Sequence, residues 1–503
     1  MRKTLLSIIL CIALAFSLVC CGKTPAEGGG NNASATDTEG NSGASGGSAH
    51  NDFPDTSKTD VIPEPGEIGH GSVPDITGPG EEITFDGDNM TFDSSMPVIL
   101  SAKPSHTIKN SFKTSYFASS PEVYSKDLAL FSFGLAVANS TKIEMKKFFD
   151  GAIFDSQEYY GYDSVPTDNS IAYAIAHKSV GDFNLIAVSV RGFNYGRAWA
   201  DNFNVGSYGH HKGFSAQAVK INNALSAYLT EYGFNPSSNK FLITGYSRGG
   251  AVANTLGSIL NGSMTIEGIT DENAYVYTFE APKSVPSDKQ ASKNIHNIIS
   301  SADFITHLTP DAYGLKRDGV DHDIFSENFA DYVAEFDDKL IIPEFYPDPN
   351  NYPTAAELYS WAFEQLLVDP VNAGGTSIKT RADFYNNLQP SLMKIMAFVM
   401  NLSGEETERL SAYMRDLTNM FALMNAVYEQ DGIYNFFKTA LDACLINYND
   451  DELKSCSSAV QALIAGYDSS SLAIVAFLSM FNTIDHIMAM HTPEVIYPML
   501  LNY

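Results

Sequence analysis

The run Phe241-Leu242-Ile243-Thr244-Gly245-Tyr246-Ser247-Arg248-Gly249-Gly250-Ala251-Val252-Ala253-Asn254 constrains the fold more than any other stretch of the chain. Phe241 to Thr244 reads as a short buried strand, and the Gly/Ala run after Ser247 reads as a helix of small residues. Gly245 and Gly249, two positions either side of Ser247, lack the Cβ atoms that would clash where strand and helix meet. Such a turn presents the serine hydroxyl at its tip with a helix N-terminus behind it. Bare Gly-x-Ser-x-Gly spacing arises by chance in a chain with 37 glycines. The strand before it and the helix after it distinguish a nucleophile elbow from an ordinary Gly-Ser turn.

The surrounding pattern is that of an α/β protein. Apolar runs at 171–176, 183–190, 241–244 and 275–279 predict strands, and Ile298-Ile299 is a further short run. Ala218, Ile221, Leu225, Tyr228, Leu229 and Tyr232 recur at helical spacing before Gly233. Strands that are mostly apolar and alternate with helices imply a largely parallel sheet covered on both faces. After about Asn328 the pattern turns helical, with one stripe formed by Leu410, Tyr413, Met414, Leu417, Phe421 and Met424. Ten of the 15 methionines lie beyond residue 390, which suits either a plain helical core or a surface that accepts varied alkyl shapes.

The N-terminus suggests export. A basic start, an apolar run from Leu5 to Val19 and the sequence Leu18-Val19-Cys20-Cys21-Gly22 resemble a lipoprotein signal, with Cys21 as the lipidated first residue of the mature chain. Residues 22–95 are rich in Gly, Ser, Asn, Thr, Pro and acid. They are expected to form a disordered tether, with an r.m.s. reach of roughly 45 Å. This stretch holds 14 Asp plus Glu and two Lys, so it accounts for 12 of the chain's 28 net negative charges. The remaining acidity argues against nucleic-acid binding, because no basic stripe is present to replace counterions. The expected location is extracytoplasmic, on a bacterial cell surface, with the catalytic domain spanning 96–503.

A serine hydroxyl near neutral pH needs a base within hydrogen-bond reach and an acid to orient that base. In an elbow-bearing fold the chain order is serine, acid, histidine. Asp303, at the end of the apolar run after the next strand, is the expected acid, with Asp311 as the alternative. Five histidines follow the serine: His296, His307, His322, His486 and His491. His296 is expected at the wrong edge of the sheet, and His307 is only four residues past Asp303. His322 sits among acids expected to raise its pKa and is the alternative base; His491 opens a terminal apolar segment that should pack back on the core. The helical block from about 328 to 486 then lies between acid and base, as a cap insertion would.

Several of these motifs, in order, resemble the class 3 (fungal-type) lipases: Ala187-Val188-Ser189-Val190-Arg191-Gly192-Phe193, His211-Lys212-Gly213-Phe214, the elbow, Tyr277-Thr278-Phe279-Glu280-Ala281-Pro282 and Asp303. The similarity spans about 171–321 and returns at the C-terminal histidine segment. It implies an α/β-hydrolase-type, mostly parallel sheet covered by helices, here with a large C-terminal helical cap. It also implies a serine ester hydrolase with Ser247, Asp303 and His491 as the triad. The oxyanion-hole amides would come from Phe193 and Arg248. Phe193 stands where the family usually has a small hydroxyl residue, and the common Gly-His-Ser-Leu-Gly is Gly245-Tyr246-Ser247-Arg248-Gly249 here.

No metal or cofactor is expected: Asp348, within Tyr346-Pro347-Asp348-Pro349-Asn350-Asn351, reads as a turn rather than a calcium site. The expected partners are an acyl-ester or lipid substrate and, through Cys21, a membrane. Cys444 and Cys456 are compatible with either a bridge or two buried thiols. Two rival readings are a carbohydrate-ester deacetylase or peptidase on the same scaffold, and a non-catalytic surface lipoprotein.

Overall fold

The computed structural model describes residues 84–86, 89–99, 105–162, 170–193, 201–262, 265–337, 351–368, 380–390, 402–415, 429–464 and 488–503, with isolated positions between 393 and 426. Cys21, Asp348, His486 and the expected tether up to residue 83 lie outside the described residues.

The chain opens with an antiparallel three-stranded sheet: β1 (Thr84–Asp86), β2 (Asn89–Pro97) and β3 (Ser105–Lys113). The expected tether therefore ends too late, because β2 begins within it. Met90, Phe92 and Met96 alternate along β2 at the two-residue period of a strand and bury one face in the main core.

A seven-stranded sheet forms the centre. Its members, in chain order, are β4 (Ser156–Tyr160), β5 (Tyr173–Val180), β6 (Phe183–Val190), β7 (Lys240–Tyr246), β8 (Ala274–Phe279), β10 (Ile295–Ile299) and β12 (Val320–Asp323). A separate two-stranded ribbon, β9 (Val285–Pro286) with β11 (Leu315–Lys316), lies outside it. The spatial order is β12-β10-β8-β7-β6-β5-β4. From β6 to β12 every neighbouring pair is parallel, whereas β4, β5 and β6 pair antiparallel. The antiparallel pairing of β5 and β6 has a simple cause: only Gly181 and Asp182 separate them, too short a link for a parallel crossover.

Alternate residues of the central strands feed two cores, one on each face. Ile186, Val188, Val190, Phe241, Ile243 and Val276 pack with Ala218, Ile221, Leu225 and Leu229 of α3 (Lys212–Glu231) and with the small residues of α4 (Arg248–Leu260). Ala187, Leu242, Tyr275 and Phe279 face the other way, toward α1 (Lys126–Ala138), α2 (Lys142–Gly151) and the C-terminal helix α10 (Pro493–Asn502).

Among the described residues, the helices between Asn328 and α10 include α5 (Phe329–Phe336), α6 (Asn351–Val368), α7 (Gly404–Arg415), α8 (Gly432–Ala443) and α9 (Asp450–Ile464). The first of them does not belong to a cap. Phe329 and Val333 are buried in the main core, and the Phe336 ring packs edge-on against Tyr497 of α10 at 5.4 Å between centroids. The boundary expected at about 328 is thus too early, because α5 carries an apolar face that the core takes up. Further on, Arg381 donates to the carbonyls of Gly206, Gly209 and His210, fastening the helical block to the loop before α3. Burial lowers this guanidinium to about 10. Cys444 and Cys456 are both buried and unbridged. Among the described residues no helix is long and apolar enough to cross a membrane.

Candidate active site

The turn between β7 and α4 is built by removing side chains. A Cβ at Gly245 would lie 2.3 Å from the Gly249 carbonyl oxygen, and one at Gly249 would lie 2.3 Å from that of Val190. Ser247 sits at φ +53° and ψ −122°, a sparsely populated conformation costing on the order of 1–3 kcal/mol. Two backbone bonds hold it: the Ser247 amide donates to Phe279 O at 2.8 Å, and Ser247 O accepts from Ala251 N at 3.0 Å.

Asp303 follows β10 through Ser300, Ser301 and Ala302 and is fully buried. Its Oδ1 accepts from the Ile305 amide at 2.8 Å, which turns Oδ2 toward His491. His491 stands two residues before α10, and its amide donates to Met488 O at 3.0 Å. His491 Nδ1 lies 2.5 Å from Asp303 Oδ2, and Nε2 lies 2.8 Å from Ser247 Oγ. An imidazole held between a carboxylate and a hydroxyl is placed to accept the hydroxyl's proton through the nitrogen that faces it.

The two residues expected to supply oxyanion amides flank the same turn. A Cβ at Gly192 would fall 1.9 Å from the Tyr246 carbonyl oxygen, so the chain entering Phe193 lies directly against the elbow. The Phe193 ring stacks on Tyr246, with centroids 5.0 Å apart and planes 25° apart. Arg248 is the first residue of α4, and its buried guanidinium donates to Ser170 O at 3.1 Å and to Asp201 Oδ2 at 3.4 Å. Burial pushes the Asp201 carboxyl up, while the Arg248 charge opposes that rise.

The alternative residues lie elsewhere. His322 is on β12, where its Nε2 is 3.1 Å from His296 Nδ1 and its ring stacks on Tyr124 at 4.1 Å. Its acidic neighbours do not raise its pKa: burial and His296 lower it to about 4, and Asp321 opposes them only in part. Asp311 is solvent-exposed and pairs with Lys283. His307 Nε2 contacts Ser301 O at 3.2 Å.

Residues 187–313 match the family model of the class 3 lipases, a span that includes Ser247 and Asp303 and ends before His491. Over that span the chain is similar to the class 3 lipases. Among solved structures, a triacylglycerol lipase whose catalytic centre is a serine protease triad is 20% identical, over 41% of this chain and 83% of that one, at a TM-score of 0.32. A fungal lipase in an inhibitor complex is 16% identical over 40% and 81%, also at 0.32. Lipase II from Rhizopus niveus is 17% identical over 41% and 79%, at 0.29. No curated protein matches.

Two features of this site escape sequence reading. Tyr246, fully buried, donates its hydroxyl to the carbonyl of His491 at 2.9 Å. Glu280, within the Tyr277-Thr278-Phe279-Glu280-Ala281-Pro282 run, is buried beside Asp303; an acid directly after a buried strand was the available signal. Tyr246→Phe should leave the His491 carbonyl unsatisfied, costing about 1–3 kcal/mol in urea denaturation and lowering turnover through a loosened imidazole. Unchanged stability and turnover would show that the bond does not hold His491.

Proposed function

We propose that this chain is an extracytoplasmic, lipid-anchored lipase or carboxylesterase that cleaves acyl esters through Ser247, His491 and Asp303. The observation that carries the reading is the pair of contacts made by one imidazole, 2.8 Å to the Ser247 hydroxyl and 2.5 Å to the Asp303 carboxylate. His491 takes the hydroxyl proton as Ser247 Oγ attacks the acyl carbonyl, and Asp303 holds the ring and stabilises the imidazolium. The amides of Phe193 and Arg248 hold the oxyanion, each worth about 3 kcal/mol in reactions of this type. His491 then gives the proton to the departing alcohol. Water repeats the sequence on the acyl-enzyme and frees the acid.

The substrate reading rests on the similarity to the class 3 lipases and on the Met-rich helical block between Asp303 and His491. Such a block serves as a lid over the acyl chain, which favours esters of several carbons over acetyl esters. A profile of p-nitrophenyl esters of rising length tests this, and a preference for acetyl would favour a deacetylase.

His491→Ala should lower turnover by about 10⁴-fold or more, while His322→Ala should retain it. Loss of activity in His322→Ala alone would move the base to β12 and remove the reason for a lid over this site. Cys21→Ser should leave the chain unprocessed or release it to the medium. A Cys21→Ser variant that is processed and still firmly anchored would contradict lipidation at that cysteine.

A further inference from the structure

Glu280 has no part in the relay proposed above, yet it is completely buried against it. One of its carboxylate oxygens, one of Asp303's and a ring nitrogen of His491 lie within 4.8 Å of one another. Its backbone has φ +49°, a left-handed conformation unfavourable for a residue with a side chain. Both ends of the residue are tied to the strand that leads to Asp303. The Glu280 amide donates to Ile298 O at 2.9 Å, and Oε2 accepts from the Ser300 amide at 3.2 Å.

Two ionised carboxylates this close in a buried site repel strongly, and a single proton shared between them removes the repulsion and adds a hydrogen bond. Burial and the neighbouring Asp303 charge push the Glu280 carboxyl well above the usual carboxylate range. Both Asp303 oxygens already have partners, the Ile305 amide and His491 Nδ1, whereas Glu280 Oε1 has none among the described residues, which favours Glu280 as the carrier of that proton. The three clustered ligand atoms do not form a cation site, because His491 Nδ1 faces Asp303 Oδ2 at 2.5 Å, a distance that holds a proton between them.

We propose that Glu280 is a positioning residue: as a neutral acid it donates a hydrogen bond to Asp303 and fixes the carboxylate orientation that receives the His491 Nδ1 proton. The pair then carries one negative charge, which balances the single positive charge that forms on His491 during turnover. The proposal rests on the triad reading. The other titratable or charged groups acting on this cluster are Arg317 on Glu280, His307 on Asp303, and Tyr246 with Glu494 beside it. Substitution at Glu280 leaves all four in place.

The test compares Glu280→Gln and Glu280→Leu with Ser247→Ala in the full chain. It measures kcat, KM, the acid limb of kcat/KM against pH, and activity in the presence of a chelator. The Gln side chain can still donate to Asp303 and accept from Ser300, so it should restore kcat to within about threefold, with the acid limb unmoved. The Leu side chain cannot donate; kcat should fall on the order of tenfold to a hundredfold at unchanged KM. In Glu280→Leu the Asp303 charge is no longer shared and stabilises the imidazolium more strongly, so the acid limb moves to higher pH.

If Glu280 were instead ionised, Glu280→Gln would remove a negative charge beside His491 and the acid limb would move to lower pH. That outcome, a fully active Glu280→Leu with an unmoved limb, or inhibition by the chelator would overturn the proposal. Should Glu280→Leu fail to fold, the direction of the limb in Glu280→Gln decides alone. An active Ser247→Ala would sink the triad reading itself, whereas an inactive Ser247→Ala beside a normal Glu280→Leu sinks only the role of Glu280.

Discussion

The contact between His491 and Asp303 joins residues 188 positions apart, and most of what is distinctive in this molecule is needed to hold it. An imidazole in a hydrogen bond of 2.5 Å tolerates little displacement. Both partners of that bond must therefore be fixed independently. Asp303 is fixed by the Ile305 amide on its other oxygen. His491 is fixed by the Met488 carbonyl, by the Tyr246 hydroxyl on its own carbonyl, and by the burial of α10 immediately after it. Removing any of these supports frees a rotation that a contact this short cannot absorb.

The sheet makes those supports possible. Because β7, β8 and β10 run parallel and side by side, the turn bearing Ser247, the start of the Glu280 loop and the approach to Asp303 all leave the same edge. Neighbouring strand ends meet in register: Tyr246 opposes Phe279, and Phe279 opposes Ile298. The Ser247 amide bonds Phe279 O, and the Glu280 amide bonds Ile298 O, so each loop is pinned to the next strand along. The cost of the strained turn at Ser247 is borne by two cores that clamp β7 from both faces.

Much of this was legible in the residues, because the features that encode it are local. Phe241 to Thr244, the two elbow glycines and the helical spacing of Ala218 through Leu229 each state their own structure. Met90, Phe92 and Met96 also alternate, but they stand at the end of an acidic, Gly-rich stretch that masks the strand, and Phe92 packs on Phe148, far along the chain. The membership of α5 in the core was hidden for a similar reason, since an amphipathic helix does not announce which surface it covers. For Asp303, what chain order suggested the geometry brings to His491. For His322, local acidic neighbours misled, because the ring faces His296 and Tyr124 rather than the carboxylates. The Tyr246 contact with His491 spans 245 positions, which no local pattern records, and for Glu280 the local pattern shows an acid after a buried strand but not its neighbour Asp303.

The central claim is that Ser247 becomes acylated, and a fluorophosphonate probe followed by peptide mass spectrometry tests it most directly. A hydroxyl activated by His491 should form a stoichiometric phosphonate adduct on the peptide containing Ser247, and ester hydrolysis should disappear in proportion to labelling. Ester hydrolysis that persists with Ser247 unmodified, or an adduct on a different residue that accounts for the loss, would contradict it.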